Sequence, residues 1–553
     1  MQSRTLSAKY GYSGRVTEAT LATRGDDLGG VRWQTALAKS GRPAYVIAFA
    51  CSLIVLSLGF WRPAPSGDES VTILAIRHGW LQIWQMRFHD PALLPYYFML
   101  KAWATLVPSE FALRLPSVIA MSAMVVVVMK IVADFTNIMV SILAGVITLI
   151  MPSVTLFAQD ARPYTFAALF ACLSVRCWLM RARSPRTSYV VSLTLCLIAG
   201  ILLHAYSATL ILVLLISAMI LRKGAAPGLL RATLVASIAS CVTALPFLML
   251  VERYARGQIT APAVSLRSMA YIVAALPAGV LKPWLAPVFA ALALALCGTG
   301  VVVTLRRPSM RQRPLTIVSL IWLIVPPTAL TAVQIVLGKP TLLARYWEFC
   351  VPALSIIITL FVVRVMAWRP SAGFVACGLL VLLALPTQIF VRGDDGHDGA
   401  HWESLPEVLA AAGLRAFPIS MNGSALDALL IYDHGQYRHR LFIRQSAAKS
   451  GLVAPVLWAT DSRVMLRAAR RAGGLIAYQT RTASSSMPTA SDFRRLVDVH
   501  AGRYALRVSC NYFGDSLGIF GVQRHMRDLS AFAQMAREIE MRAHGHARCI
   551  VLE

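Results

Sequence analysis

Trp61-Arg62-Pro63-Ala64-Pro65-Ser66-Gly67-Asp68-Glu69-Ser70 opens a stretch of chain unlike its surroundings. It runs on through an amphipathic segment to His89-Asp90-Pro91, then Pro95-Tyr96-Tyr97, and closes at Glu110-Phe111-Ala112-Leu113-Arg114-Leu115-Pro116. Long apolar segments flank it, at about 43–61 and 116–134. A bilayer core takes about 20 apolar residues per helix, so each flank can cross. The stretch between them, 62–116, is then a large loop on one side of a membrane. It gathers adjacent carboxylates, a histidine and several aromatics in a chain that is only 14% charged. This cluster reads as the acid–base centre of a membrane enzyme.

The rest of the 553 residues agrees with a membrane setting. The chain is 57% hydrophobic with a mean hydropathy of +0.62, too apolar for an ordinary soluble domain. The apolar runs are continuous and lack the alternation of barrel strands, so the spans are helices. Further spans fall at about 138–157, 164–180, 232–250, 284–304, 315–337, 350–366 and 373–391. The run 189–221 is too long for one crossing at 1.5 Å per residue. It is broken at His204-Ala205-Tyr206, giving two spans and eleven in all.

The positive-inside rule tests that count. With a cytoplasmic N-terminus, the Arg- and Lys-rich loops after spans 4, 6, 8 and 10 all fall inside. The carboxylates, Arg162, His204 and Arg345 then fall outside. The formal net charge of +27 is explained by such loops facing anionic lipid, so nucleic acid is not an expected partner. Residues 1–42 read as a cytoplasmic basic tail and 43–391 as the transmembrane catalytic domain.

Residues 393–553 are of different composition. Short apolar runs at 428–432, 475–478 and 518–522 alternate with polar turns, and helical patterns appear at 463–472 and 528–541. This predicts an α/β domain with its own core, placed outside the cytoplasm by the eleven spans. Eight of the ten cysteines lie in or beside apolar runs and read as small core residues. No CxxC pair is present. Cys510 and Cys549, both in the tail, can form a disulfide if that domain is outside the cytoplasm.

Each candidate site residue has two readings. Asp68 and Glu69 suit a first helical turn, or supply a general base whose pKa rises through partial desolvation. Asp160 and Arg162 form an interfacial ion pair, or Arg162 grips a phosphate while Asp160 orients an acceptor or a metal. His89 caps and packs, or donates to a phosphate. His204 is a turn residue or a substrate contact. Arg345, Tyr346 and Tyr96 anchor the interface or face substrate. The residues require no cofactor and leave a divalent cation open.

Taken in order, the motifs resemble a known family. They are Asp-Glu after span 1, His-x-Pro with a tyrosine pair, Glu110 to Ser117, Gln159-Asp160-Ala161-Arg162-Pro163-Tyr164, Leu203 to Ala208, and Ala344-Arg345-Tyr346 followed by Pro352-Ala353. The set is similar to the GT-C glycosyltransferases, in particular their bacterial protein-mannosyltransferase-like branch, over residues 43–391. The family departs at Asp160, where it usually has Glu, and at His89, spaced His-Asp-Pro-Ala here.

The resemblance implies a polytopic α-helical membrane enzyme of the plasma membrane with a C-terminal extracytoplasmic domain. Such an enzyme passes a sugar from a polyprenyl-phosphate donor to the hydroxyl of an extracytoplasmic glycan, lipoglycan or protein, with inversion. Asp68, with Glu69 beside it, matches the catalytic acidic position. Arg162 matches the arginine after span 3, and His89, Tyr96, Asp160, Tyr164, His204, Arg345 and Tyr346 are the expected substrate contacts. Mannose is the first expectation and arabinofuranose the second. A flippase for lipid-linked glycans is the competing class, although it would place charges at mid-membrane and repeat its sequence.

Overall fold

The computed structural model describes residues 41–62, 66–88, 90–107, 111–254, 263–278, 312–339, 341–393, 405–414, 419–421, 441–443, 471–472, 474–479, 504–512, 515–522, 529–543 and 547–552. The N-terminal tail to residue 40, His89, the expected span 284–304 and the expected strand 428–432 lie outside these. Among the described residues six helices are long and apolar enough to cross a bilayer, and a bent pair makes a seventh. Four shorter apolar helices accompany them.

Helix α1 is Gly41–Ser57. The expected loop 62–116 is not irregular. It folds into α2 (Gly67–Arg77), α3 (Trp80–Gln85) and α4 (Leu94–Leu106), joined by short 3₁₀ turns. The amphipathic segment that leads to His89 is broken between α2 and α3, because His78 and Gly79 both take extended backbone. These short helices share a small core of Ile73, Ile76, Ile83, Leu94, Tyr97 and Leu100.

Helix α5 (Leu115–Phe135) starts with proline near its first turn and buries one long face. Span 3 is two helices, α6 (Ile138–Ile150) and α7 (Pro152–Ala158), which meet at 66°. Pro152 stands at the break, where its missing N–H suits a new first turn. A Cβ on Gly145 of α6 would lie 2.7 Å from Met129 Sδ of α5. Glycine at this position lets the two helices approach closely.

Helices α8 (Tyr164–Arg183), α9 (Thr187–Leu203) and α10 (Thr209–Leu221) follow. The run 189–221 is broken at His204, as its length required. Helices α11 (Leu229–Tyr254), α12 (Leu266–Ala278), α13 (Arg313–Leu337), α14 (Val351–Trp368) and α15 (Pro370–Val391) are the remaining described helices of the bundle. Helix α12 was expected as loop; with Pro277 inside it and only 13 residues, its pattern is too short to announce a span. Only 6% of the apolar window in α15 is buried, with Phe374, Leu382 and Ile389 outward. A helix this apolar and this exposed needs hydrocarbon around it.

The connections sort to two ends. Gln159 Nε2 donates to the carbonyls of Leu56 and Leu58, capping α1 from the α7–α8 turn at 2.9 Å each. Arg392, after α15, reaches Val55 O and Gln388, whose Nε2 in turn donates to Ile150 O. Tyr164 faces His204, and His204 faces Tyr346. Lys339 pairs with Glu252 at 2.7 Å. All these turns therefore share one end of the bundle with α2–α4. At the other end Arg176 pairs with Asp134 and Arg183 covers the ring of Phe135. Arg222, Lys223 and Arg369 follow helices that run to that end.

The C-terminal residues build a six-stranded mixed sheet in the order β2-β1-β3-β5-β4-β6. The strands are β1 (Ile419–Met421), β2 (Leu441–Ile443), β3 (Gly474–Gln479), β4 (Tyr504–Tyr512), β5 (Asp515–Val522) and β6 (Ala547–Val551). The apolar runs 475–478 and 518–522 lie on β3 and β5, which pair antiparallel. Helix α16 (Leu405–Ala411) and helix α17 (Leu529–Arg542) accompany the sheet. Cys510 and Cys549 face each other across β4 and β6 and are joined by a disulfide.

Candidate active site

Ser66 starts the site. Its hydroxyl accepts from the N–H of Glu69 at 3.1 Å, an N-cap that fixes where α2 begins. Asp68 and Glu69 then occupy the first turn, where the helix dipole favours carboxylates. Consecutive residues on a helix point about 100° apart, and the two side chains go to different places.

Glu69 turns inward. Arg114 Nε and Nη2 each donate to one of its oxygens, at 2.7 and 2.6 Å, and both side chains are 1% exposed. The N–H of Ala161 donates to the same carboxylate at 3.1 Å, and Arg114 Nη1 also reaches Phe60 O at 2.5 Å. Glu69 thus ties α2 to α5 and to the α7–α8 turn. A catalytic part for Glu69 beside Asp68 does not fit this arrangement, because its lone pairs are already engaged by donors.

Asp68 turns away from Glu69 toward Arg345 and Arg162, and its side chain is 36% exposed. Its Oδ2 lies 2.5 Å from Arg345 Nη1 and 3.8 Å from Arg162 Nη2. Arg162 is held from behind, since its Nη1 donates to Asp68 O and Thr72 Oγ1 at 3.1 Å each. Burial pushes the carboxyl of Asp68 up, but the charges of Arg162 and Arg345 outweigh it and hold Asp68 below the usual carboxylate range. The sequence led to the opposite expectation, a raised pKa. The two arginines overturn it, and the 345 segment is remote in the chain.

The neighbouring carboxyls behave differently. Burial pushes Asp160 well above the ordinary range and the charge of Glu69 adds to this, while Arg162 opposes. Asp160 Oδ1 is buried without a hydrogen-bond partner. Asp90 is also pushed up by burial, against the hydrogen bond it accepts from Tyr97 Oη at 2.6 Å. Among the described residues no three His, Cys, Asp or Glu side chains form a metal-holding group.

His204 is 7% exposed and boxed by rings. Centroids of Tyr164, Tyr206 and Tyr346 lie 5.7, 5.6 and 5.7 Å away, and Phe349 lies at 6.2 Å. Neither ring nitrogen has a partner. Burial, then the charges of Arg162 and Arg345, push its pKa down to about 3, so the imidazole is neutral. Neutral histidine offers one donor and one acceptor, which suits a hydroxyl-bearing ligand and not a phosphate charge.

Of the expected residues, Asp68, Asp160, Arg162, Tyr164, His204, Arg345 and Tyr346 therefore form one group. Tyr96, expected among the substrate contacts, is fully buried and meets Phe166 edge-on. His89 lies outside the described residues. Arg114, Thr72, Tyr206 and Phe349 were missed as site components. Arg114 had one signal: a lone arginine between apolar residues needs a carboxylate if it is buried.

The fold and this site define a class, a polytopic membrane protein with a cluster of charged side chains at one end of its helix bundle. No family model matches the sequence, and no curated relative does. Solved structures do match. ArnT from Cupriavidus metallidurans bound to undecaprenyl phosphate superposes with a TM-score of 0.57 at 14% identity, over 86% of this chain and 98% of that one. The apo form of the same protein gives 0.54 at 14% identity, over 89% and 99%. At such identity the likeness is one of fold: this chain shares the fold of ArnT.

Proposed function

We propose that this protein is an integral membrane glycosyltransferase that moves a sugar from a polyprenyl-phosphate carrier to an extracytoplasmic hydroxyl, with inversion. The observation that carries the reading is the Asp68 carboxylate set between Arg162 and Arg345 at one end of a membrane bundle. A fold neighbour crystallised with undecaprenyl phosphate adds support for the carrier. Asp68 takes the proton of the acceptor hydroxyl as its oxygen attacks the anomeric carbon. The phosphate leaves carrying the bond's electron pair, and Arg162 and Arg345 balance its growing charge. The lipid tail of the donor keeps it in the membrane beside the site, which adds proximity.

Mannose is the sugar first in line, arabinofuranose the second, and the acceptor a glycan, lipoglycan or protein of the outer face of the plasma membrane. The basic end of the bundle faces the cytoplasm in this reading. The Cys510–Cys549 disulfide supports an oxidising compartment for the C-terminal sheet. A flippase would carry lipid-linked glycan without forming a bond, and its charges would stand at mid-membrane.

The deciding experiment gives the purified protein radiolabelled polyprenyl-phosphate sugars one at a time, with membrane glycan as acceptor. Label in the glycan from one sugar supports the reading; no label from any sugar removes it. Arg162→Ala is expected to lower the transfer rate by about 10²–10³-fold, as for removal of one stabilising donor at a growing anion. Unchanged donor affinity and rate would leave Arg162 a structural anchor of Thr72 and Asp68 O.

A further inference from the structure

We propose that Arg345 switches the catalytic base: in the donor-free chain it occupies Asp68, and the donor's phosphate draws it away, so that the carboxylate becomes competent only after the donor is bound. The proposal rests on the reading above, that a sugar phosphodiester binds at Arg162 and Arg345.

The two arginines are not equivalent. Arg162 is 8% exposed and fixed by its hydrogen bonds to Asp68 O and Thr72 Oγ1. Arg345 is 30% exposed and stands on a three-residue 3₁₀ turn, Ala344–Tyr346. Its Nε, like that of Arg162, is buried without a partner, and its Nη1 makes the 2.5 Å contact with Asp68 Oδ2. A guanidinium can present Nε and Nη together to a phosphate as a fork. Asp68 engages only Nη1, so a phosphate offers Arg345 a fuller set of bonds than Asp68 does.

A carboxylate paired with a cation is a poor proton acceptor, because the cation stabilises the anion that must be consumed. Other groups also act on Asp68, Arg162 foremost among them. Asp160 and Arg162 face it from the α7–α8 turn, Tyr164 from α8, Asp90 from the turn before α4, Tyr97 from α4, and Tyr346 from beside Arg345. Among the described residues Arg162 remains as the nearby cation when Arg345 leaves, and its charge continues to act on Asp68.

The cycle then has an order. The donor binds and Arg345 moves to its phosphate. The acceptor oxygen bonds to the anomeric carbon while the bond from that carbon to the phosphate oxygen breaks. The acceptor proton goes to Asp68 and the electron pair stays on the phosphate. The released lipid phosphate is a monoester of about −1.5 to −2 charge, more negative than the donor diester. It holds the arginines until it leaves, and Asp68 returns its proton to water.

The test is a pair of pH profiles on the intact protein. The value of kcat/KM for donor reports the free enzyme, and kcat/KM for acceptor at saturating donor reports the donor complex. The acid limb is expected at higher pH in the donor complex, by about one unit or more, the size of a neighbouring charge's effect. Coincident limbs overturn the proposal. In Arg345→Gln the free-enzyme limb is expected to rise and the gap to close. A gap that persists in that variant overturns the assignment to Arg345, since the donor's own charge would then account for it. Absence of transfer from every polyprenyl-phosphate sugar strikes the functional reading instead, and is distinguished from both by the labelling assay.

Discussion

Asp68→Asn is expected to reduce sugar transfer by about 10²–10⁴-fold, the range of general-base catalysis, with no loss of folded protein. Asparagine keeps the shape of the side chain, and at 36% exposure its cap-side position carries little packing. The amide cannot accept a proton at neutral pH, so the acceptor oxygen must attack unassisted. Donor binding is not expected to weaken. With the carboxylate gone, Arg345 loses its 2.5 Å partner and is free for phosphate, so the donor's apparent affinity should hold or improve. Single-turnover transfer together with binding of a labelled polyprenyl phosphate reads both quantities. Near-normal turnover would remove Asp68 as the base, and a lost affinity with normal turnover would make it a binding residue.

The adjacent carboxylate should fail in another way. Glu69→Ala leaves Arg114 1% exposed with its main counter-charge removed. Breaking a buried ion pair from one side costs about 3–5 kcal/mol, a large part of the roughly 5–15 kcal/mol that holds a domain folded. Loss of the Glu69 carboxylate also strands the N–H of Ala161. The protein is therefore expected to fall in yield and in melting temperature. Replacing both partners, Glu69→Leu with Arg114→Met, should recover most of that loss, because the pair costs about as much to desolvate as it returns. Thermal unfolding in detergent checks this. A single variant as stable as the wild type, yet inactive, would move Glu69 back among the catalytic groups.

The long membrane helices among the described residues were legible because length and hydropathy leave few choices in hydrocarbon, whereas α2–α4 and α12 were too short to announce themselves. The break at His204 was forced by the length of 189–221. The 66° elbow at Met151 was not forced, since apolar residues continue through it, and Pro152 at a first turn looks the same in a straight span. In the site, Asp68, Arg162 and Arg345 were singled out as the rare ionisable groups in an apolar chain. The separation of roles between Asp68 and Glu69 was not legible. It depends on Arg114, 45 residues beyond Glu69, and on which way α2 is rotated. The lowered pKa of Asp68 was missed for the same reason, since the charges that hold it down, Arg162 and Arg345, are both remote in the chain and only the fold brings them to it.

The Ser66 cap has a consequence for how this chain can vary. By fixing the first residue of α2, it sets the helix's rotational phase, and phase alone decides which of two chemically similar neighbours meets solvent and which meets Arg114. Deleting one residue between the cap and the carboxylates would turn each of them by about 100° and exchange or scatter their assignments without altering composition. Single-residue insertions and deletions at this point should thus be far more damaging than most side-chain exchanges, which makes the start of α2 an indexing mark for the whole catalytic face.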